Sequence, residues 1–286
     1  MAVPVLSSPG PKFSRDLPEF VGLPILNAHL TIILRTCSKR NFHQTGRFVA
    51  AAKKEITLRS LNSLLEAARH ARELLPPEAL RIVIVDDHSD PEIQASIQAL
   101  LTRSGIANDF ILVEGSGNGA SLRTTYEFAR WNAPDLIYFV EDDYLHSRES
   151  LSEMLGSFHI LKSKMRQDCV LLPYDCPDRY LDGHVYPSIL LLGEGCHWRS
   201  VQHSTGTFLI TRDVFMNHWE IFQRFTLLDR IPNCYEADTI NKIYEKVPCF
   251  SPIPSLALHL GESGSEAPFV EWTSLWDQQG SHLKVL

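Results

Sequence analysis

Three consecutive acids, Glu141-Asp142-Asp143, follow the apolar run Leu136-Ile137-Tyr138-Phe139-Val140. Adjacent carboxylates repel one another, and a partner of opposite charge must offset that cost. A hard divalent cation suits the role. Mn²⁺ or Mg²⁺ takes one or two carboxylates and fills its remaining positions with water or phosphate oxygens. On a continuing strand Glu141 and Asp143 point to one side and Asp142 to the other. The same acids would also suit a helix N-terminus, where negative charge is favoured. Their place after a buried strand, beside other polar strand ends, favours the cation.

Three more polar clusters follow apolar runs. Leu30–Leu34 leads into Arg35-Thr36-Cys37-Ser38-Lys39-Arg40, and Ile82–Val85 into Asp86-Asp87-His88-Ser89-Asp90. Phe110–Val113 leads into Glu114-Gly115-Ser116-Gly117-Asn118-Gly119. Aspartates at a strand end could simply build an Asx turn, or could accept hydrogen bonds from a nucleobase or ribose. The glycine turn could bring backbone amides to a phosphate. Its spacing matches neither the Walker pattern nor G-x-G-x-x-G, so it is a weak signal by itself.

The elements that must position these clusters are legible in the pattern. The four apolar runs are nearly uninterrupted, as strands covered on both faces are. Between them lie helical stripes: Leu61, Leu64, Leu65, Ala68 and Leu75 before Pro76-Pro77, and Ile93, Ile97, Leu100 and Leu101 after Asp90-Pro91. A third helix is expected from about 121 to 131. Strand–helix alternation predicts an α/β fold with a mostly parallel central sheet and helices on both sides. In such sheets ligands bind at the carboxyl ends of the strands, which brings all four clusters to one edge.

The second half is less regular. It predicts a helix on Leu151, Met154, Leu155, Phe158 and Leu161, and strands at Val170–Leu172, Ile189–Leu192, Phe208–Thr211 and Leu256–His259. Two more helices are expected over Asp213–Phe225 and Glu236–Glu245. No linker divides the halves. The division expected is an extended arm over 1–29, one continuous domain over 30–260 and a tail over 261–286. Within the domain, the regular half is 30–145 and the less regular half 146–260.

Composition narrows the class. The chain has 286 residues, 44% hydrophobic and 21% charged, enough for a sizeable core. A net charge of −7 argues against general nucleic-acid binding. No apolar run reaches the roughly 18 residues of a membrane span, and the proline-rich start does not resemble a signal peptide. Six scattered cysteines without a C-x-x-C pair read as free thiols of a cytoplasmic protein.

The order of these motifs resembles the GT-A fold of nucleotide-sugar glycosyltransferases, and most closely the family 2 group. The carrying residues are Arg35-Thr36, Asp86-Asp87-His88-Ser89, the glycine/asparagine turn and Tyr138–Asp143. The resemblance implies that Glu141-Asp142-Asp143 stands for a D-x-D motif. Asp143 would be the metal ligand, with Glu141 or Asp142 contacting the ribose or supporting the site from behind. It places Arg35, Thr36, Asp86, Asp87 and Asn118 around the nucleotide. It also implies a general base before a helix in the acceptor half, where Tyr235-Glu236-Ala237-Asp238 stands. The family's adjacent acidic pair is split here by Ala237. Asp238 is preferred and Glu236 remains open. A histidine closing the metal shell would be His259.

The implied activity is metal-dependent transfer of sugar from a nucleoside-diphosphate donor to an acceptor hydroxyl, with inversion. The acceptor could be a saccharide, lipid-linked glycan, protein or small molecule. A sugar nucleotidyltransferase, or a non-catalytic nucleotide-sugar or carbohydrate-binding protein of the same fold, is the alternative. Two further stretches are candidates for the acceptor side. Trp198–Thr207 could shape the sugar pocket, and Asp175, Asp178 and Asp182 could line a groove or be solvated loop acids.

Overall fold

The computed structural model describes residues 27–39, 48–180, 187–204, 206–261 and 266–283. Most of the expected N-terminal arm lies outside these residues, as do Arg40, Asp182 and Thr205. The first half alternates as expected: β1 (Leu30–Thr36), α1 (Lys53–Ala71), β2 (Leu80–Asp86), α2 (Pro91–Ser104), β3 (Ala107–Leu112), α3 (Asn118–Asn132) and β4 (Leu136–Glu141). These strands are parallel, in the order β3-β2-β1-β4. Their register sets Thr36 beside Asp86 and Arg35 beside Glu141, so the polar tips share one edge.

Strand alternation builds two apolar layers. Ile32, Leu34, Ile82 and Ile84 pack toward the leucine stripes of α1 and α2. Ile33, Val83 and Val85 pack on the other face with Leu122, Tyr126 and Ala129 of α3. β3 departs from the expectation of cover on both faces. It is the outermost strand, with a neighbour on one side only, and Leu112 is 54% exposed.

The second half holds β5 (Tyr144–His146), α4 (Ser150–Met165), β6 (Val170–Leu171), β7 (Leu190–Leu192), β8 (His197–Val201) and β9 (Phe208–Thr211). After these come α5 (Arg212–Asn217), α6 (Trp219–Phe225), β10 (Cys249–Ile253), β11 (Ala257–His259) and α7 (Trp272–Leu283). β9 lies antiparallel beside β4, and the sheet continues β6-β10-β8-β7 into a nine-stranded whole among the described residues. One sheet therefore serves both halves. β11 pairs with β5 in a small second sheet that sets His259 opposite Tyr144.

Three elements differ from expectation. The helix expected over Asp213–Phe225 is two, α5 and α6, broken at His218, whose φ of −116° leaves the helical region. The helix expected over Glu236–Glu245 is two 3₁₀ turns, Glu236–Asp238 and Ile240–Glu245, interrupted at Thr239. The segment expected as a tail carries α7, which docks on α1. There Arg59 stacks on the Trp276 ring at 4.2 Å, and Asn62 Nδ2 donates to Gln279 Oε1 at 2.5 Å. All six cysteines are free thiols, and among the described residues no helix is long and apolar enough to cross a membrane.

Candidate active site

The tips of β1 and β2 are laced together by hydrogen bonds. Thr36 Oγ1 donates to Asp86 Oδ1 at 2.7 Å, while Ser89 N–H and Gln94 Nε2 donate to Asp86 Oδ2 at 3.0 and 2.9 Å. Asp86 is fully buried and both its oxygens are engaged. Its bonds hold the turn, and the Thr36 hydroxyl is one of the donors that fix it. Asp87 is the residue at the opening. Its Oδ2 accepts from Gly117 N–H at 2.9 Å, and the His88 ring Nδ1 lies 3.2 Å from its Oδ1.

That bond reassigns the glycine turn. Gly117 N–H is taken by Asp87, and Gly119 N–H donates to Asp229 Oδ2 at 2.6 Å. The turn orients a carboxylate instead of offering these amides to a phosphate. A side chain at Gly119 would also meet the Thr226 carbonyl at 2.5 Å, which explains the close packing of α3 on the end of α6.

The three acids part at the strand end: Glu141 closes β4, and Asp142 and Asp143 form the turn after it. Asp142 turns away from the edge toward the first turn of α1. It accepts from Cys37 N–H at 3.0 Å, Thr57 Oγ1 at 2.8 Å and Lys53 Nζ at 2.5 Å. A carboxylate over a helix N-terminus is favourably placed against the dipole. That reading of the triplet therefore holds for Asp142, with α1 as the helix. Three donors thus tie it to the end of β1 and the start of α1.

Glu141 and Asp143 face the other way. Arg35 Nη2 donates to Glu141 Oε1 at 2.7 Å, and Arg35 Nη1 donates to Asn118 Oδ1 at 2.5 Å and to Ser121 Oγ at 3.1 Å. Arg35 thus clamps β1, α3 and β4 and neutralises Glu141. Withdrawal from solvent pushes the Glu141 carboxyl above its usual range; Arg35 and His259 oppose the push, while Asp143 and Glu236 add to it. Asp143 Oδ1 lies 3.6 Å from His259 Nε2, and Lys53 Nζ is 3.9 Å from Asp143 Oδ2. Burial pulls the His259 ring down, but the Asp143 and Glu141 charges outweigh it and the ring ends above its ordinary value.

The fit to a divalent cation follows from these positions. Among the described residues no group of three or more His, Cys, Asp or Glu side chains could hold a metal ion. Asp143 and His259 form a pair instead. Their 3.6 Å separation is what two atoms each about 2.1 Å from one ion would span at an open angle. The His259 ring is stacked on Tyr144 at 4.9 Å, which fixes its plane. Two protein ligands with the rest from water and diphosphate oxygens fit a Mg²⁺ or Mn²⁺ shell.

On the acceptor side Glu236 and Asp238 part company. Glu236 is half-buried, and its charge raises both Glu141 and the buried Tyr126 hydroxyl, so it lies within electrostatic reach of the site. Asp238 is exposed and exerts no such effect on either group.

A family comparison fits this arrangement. The family model described as "Glycosyl transferase family 2" matches residues 51–230. The chain belongs to glycosyl transferase family 2. No curated protein matches it. Solved structures of similar fold include S. aureus TarS 1-349 in complex with UDP-GlcNAc, at 14% identity and TM-score 0.44, covering 78% of this chain and 58% of that one. A UDP-glucose pyrophosphorylase complexed with UDP-glucose gives 10% identity and TM-score 0.48, covering 91% of this chain and 100% of the other. Mannosyltransferase PcManGT from Pyrobaculum calidifontis, with GDP-Man and Mn²⁺, gives 12% and 0.38, covering 68% and 48%.

Several residues around these strand tips had no sequence signal. Lys53 and Thr57 reach Asp142 only because α1 begins under the β4 tip. Gly206 lies against Glu141: a Cβ there would come within 2.6 Å of its carboxyl carbon. Thr207 Oγ1 accepts the Glu141 N–H at 3.1 Å. Only the end of the Trp198–Thr207 stretch therefore reaches the site. Trp198 is core, its indole N–H donating to Ser157 Oγ at 2.9 Å. Asp175 is neither solvated nor lining a groove. It is buried, accepts from Arg199 and Tyr180, and has Arg179 Nη1 3.7 Å away.

Proposed function

We propose that this chain transfers a sugar from a nucleoside-diphosphate sugar to an acceptor hydroxyl, with Glu236 as general base. The observation that carries the reading is the grouping of Glu236, Glu141, Asp143 and His259 in one shared electrostatic field at the strand tips. In this reading Asp87 accepts a hydrogen bond from the nucleobase or ribose. Asp143 and His259 would hold a divalent cation, which when bound offsets charge growing on the leaving diphosphate. Arg35 holds Glu141 Oε1 and so takes that oxygen out of competition for the cation. Glu236 takes the acceptor hydroxyl proton as the oxygen attacks the anomeric carbon. The anomeric carbon–oxygen bond breaks, its electron pair leaves with the diphosphate, and attack from the opposite face inverts the centre.

Calorimetry with a panel of nucleoside diphosphates, in Mn²⁺ and in EDTA, tests the donor side. The wild type should bind one of them at least about tenfold more tightly with the cation, and Asp143→Ala should abolish the difference. Equal affinity in EDTA and Mn²⁺ would overturn the cation assignment. Synthesis of a nucleotide sugar from a triphosphate and a sugar phosphate, without glycosyl transfer, would replace the transferase with the nucleotidyltransferase alternative.

A further inference from the structure

His88 carries a conformation that its residue type does not favour. Its φ is +58°, in the left-handed region that glycine adopts freely and a side chain with a Cβ adopts at a cost. The backbone on both sides is pinned. Asp87 N–H donates to the Thr36 carbonyl at 2.8 Å, and Ser89 N–H to Asp86 Oδ2 at 3.0 Å. Beyond them Ser38 N–H donates to Ser89 Oγ at 2.9 Å, and Asp90 N–H to Ser38 Oγ at 3.0 Å. The turn is thus over-determined, as strained residues at working sites are.

Any side chain at 88 is therefore aimed, and glycine would satisfy the turn with less strain. Here the aimed group is an imidazole. Its Nδ1 lies 3.2 Å from Asp87 Oδ1, and its side chain is 50% exposed, whereas that of Asp87 is 7% exposed. A bond to the Asp87 carboxylate needs the proton on Nδ1, and the half-exposed ring keeps part of its surface toward solvent. Asp87 Oδ2 is fixed by Gly117 N–H, so His88 and Gly117 together hold the carboxylate at both oxygens.

We propose that His88 is a specificity-determining residue of the donor site. It positions the Asp87 carboxylate and forms a wall against the nucleobase of a nucleoside diphosphate. The proposal rests on the reading of Asp87 as the nucleobase or ribose contact. It assigns His88 to the base end and not to the diphosphate end of the donor. The imidazole acts on binding and discrimination, not on the chemical step.

The test uses the full chain with His88→Gly and His88→Asn, and as probes pyrophosphate and the diphosphates of uridine, thymidine, guanosine, cytidine and adenosine. His88→Gly should melt at or above the wild-type temperature, because it relieves the left-handed strain. It should nevertheless lose at least about fivefold in affinity for the preferred nucleoside diphosphate, and its ratio of preferred to other bases should shrink. Pyrophosphate affinity should stay the same, and donor KM should rise with kcat unchanged. Asn tolerates the same φ and can donate to Asp87, so His88→Asn should recover part of the loss. Unchanged nucleoside affinity and unchanged base ratio in His88→Gly would overturn the proposal and leave the donor site standing. A fall in melting temperature with equal losses for pyrophosphate would make His88 structural and also overturn it. A wild type that binds none of the five diphosphates would overturn the donor site itself, and the proposal with it.

Discussion

The halves of the edge that we read as the donor and acceptor sides are built differently. At the β1, β2 and β4 tips nearly every polar group is engaged before a ligand arrives: Asp86 by three donors, Asp142 by three, Glu141 by Arg35. Across the site Glu236 and Asp238 sit on a single 3₁₀ turn, with Tyr235 62% exposed beside them. The donor side spends folding interactions on fixing a few carboxylates. The acceptor side leaves its acid on a short element near the surface. The contrast teaches that mutations in the first region should act through stability and orientation, and those in the second through rate alone.

The sharpest way to break that contrast is at the base. Glu236→Gln should lower transfer by roughly 10²–10⁴-fold while leaving donor affinity and melting temperature nearly unchanged. Asp238→Asn should do far less. Full activity in Glu236→Gln with loss in Asp238→Asn, read in a steady-state transfer assay, would return the role to Asp238 and show the exposed acid to be the working one.

On the donor side the expected loss is in folding. Asp142→Ala would leave the Lys53 ammonium, whose side chain is only 10% exposed, without its nearest counter-charge. Breaking a buried pair in this way costs about 3–5 kcal/mol, to be read by urea denaturation. A change below about 1 kcal/mol would mean that Asp142 is not the anchor its contacts indicate.

A smaller effect concerns His146, buried beneath the same strand with its Nε2 2.7 Å from the Tyr138 hydroxyl. Burial lowers this ring from 6.5 to about 4, so between those values the unfolded chain binds a proton that the folded one refuses. Stability should therefore fall as pH drops from 6.5 toward 4, by up to about 3 kcal/mol. His146→Gln should flatten that slope in pH-dependent melts. An unchanged slope would place the acid sensitivity elsewhere.

The donor half was largely legible because its signals are local. Uninterrupted apolar runs such as Ile82–Val85 mark strands buried on both faces, and the carboxyl ends of parallel strands meet at one edge by the geometry of the crossover. The shared edge of Arg35, Asp87, Asn118, Glu141 and Asp143 followed from that, while His259 came from the family resemblance. The acceptor half was not legible to the same degree. Its strands are two to five residues long and pair across large sequence separations, as Cys249 does with Val170. Short elements carry too little periodicity to be read, and the split at Thr239 leaves no trace in the pattern of apolar residues.

By itself, the sequence determined which residues end the strands of the first half and that three acids there need opposite charge. The partners were a tertiary matter. Arg35 for Glu141, Lys53 for Asp142 and His259 for Asp143 come from three separate elements, so no spacing could name them. The sequence also left the base open between two acids, with Asp238 preferred, because two residues on one turn share much of their local chemistry. Only the structure separates them, by leaving Glu236 half-buried and Asp238 exposed, since electrostatic influence depends on distance through space and not along the chain.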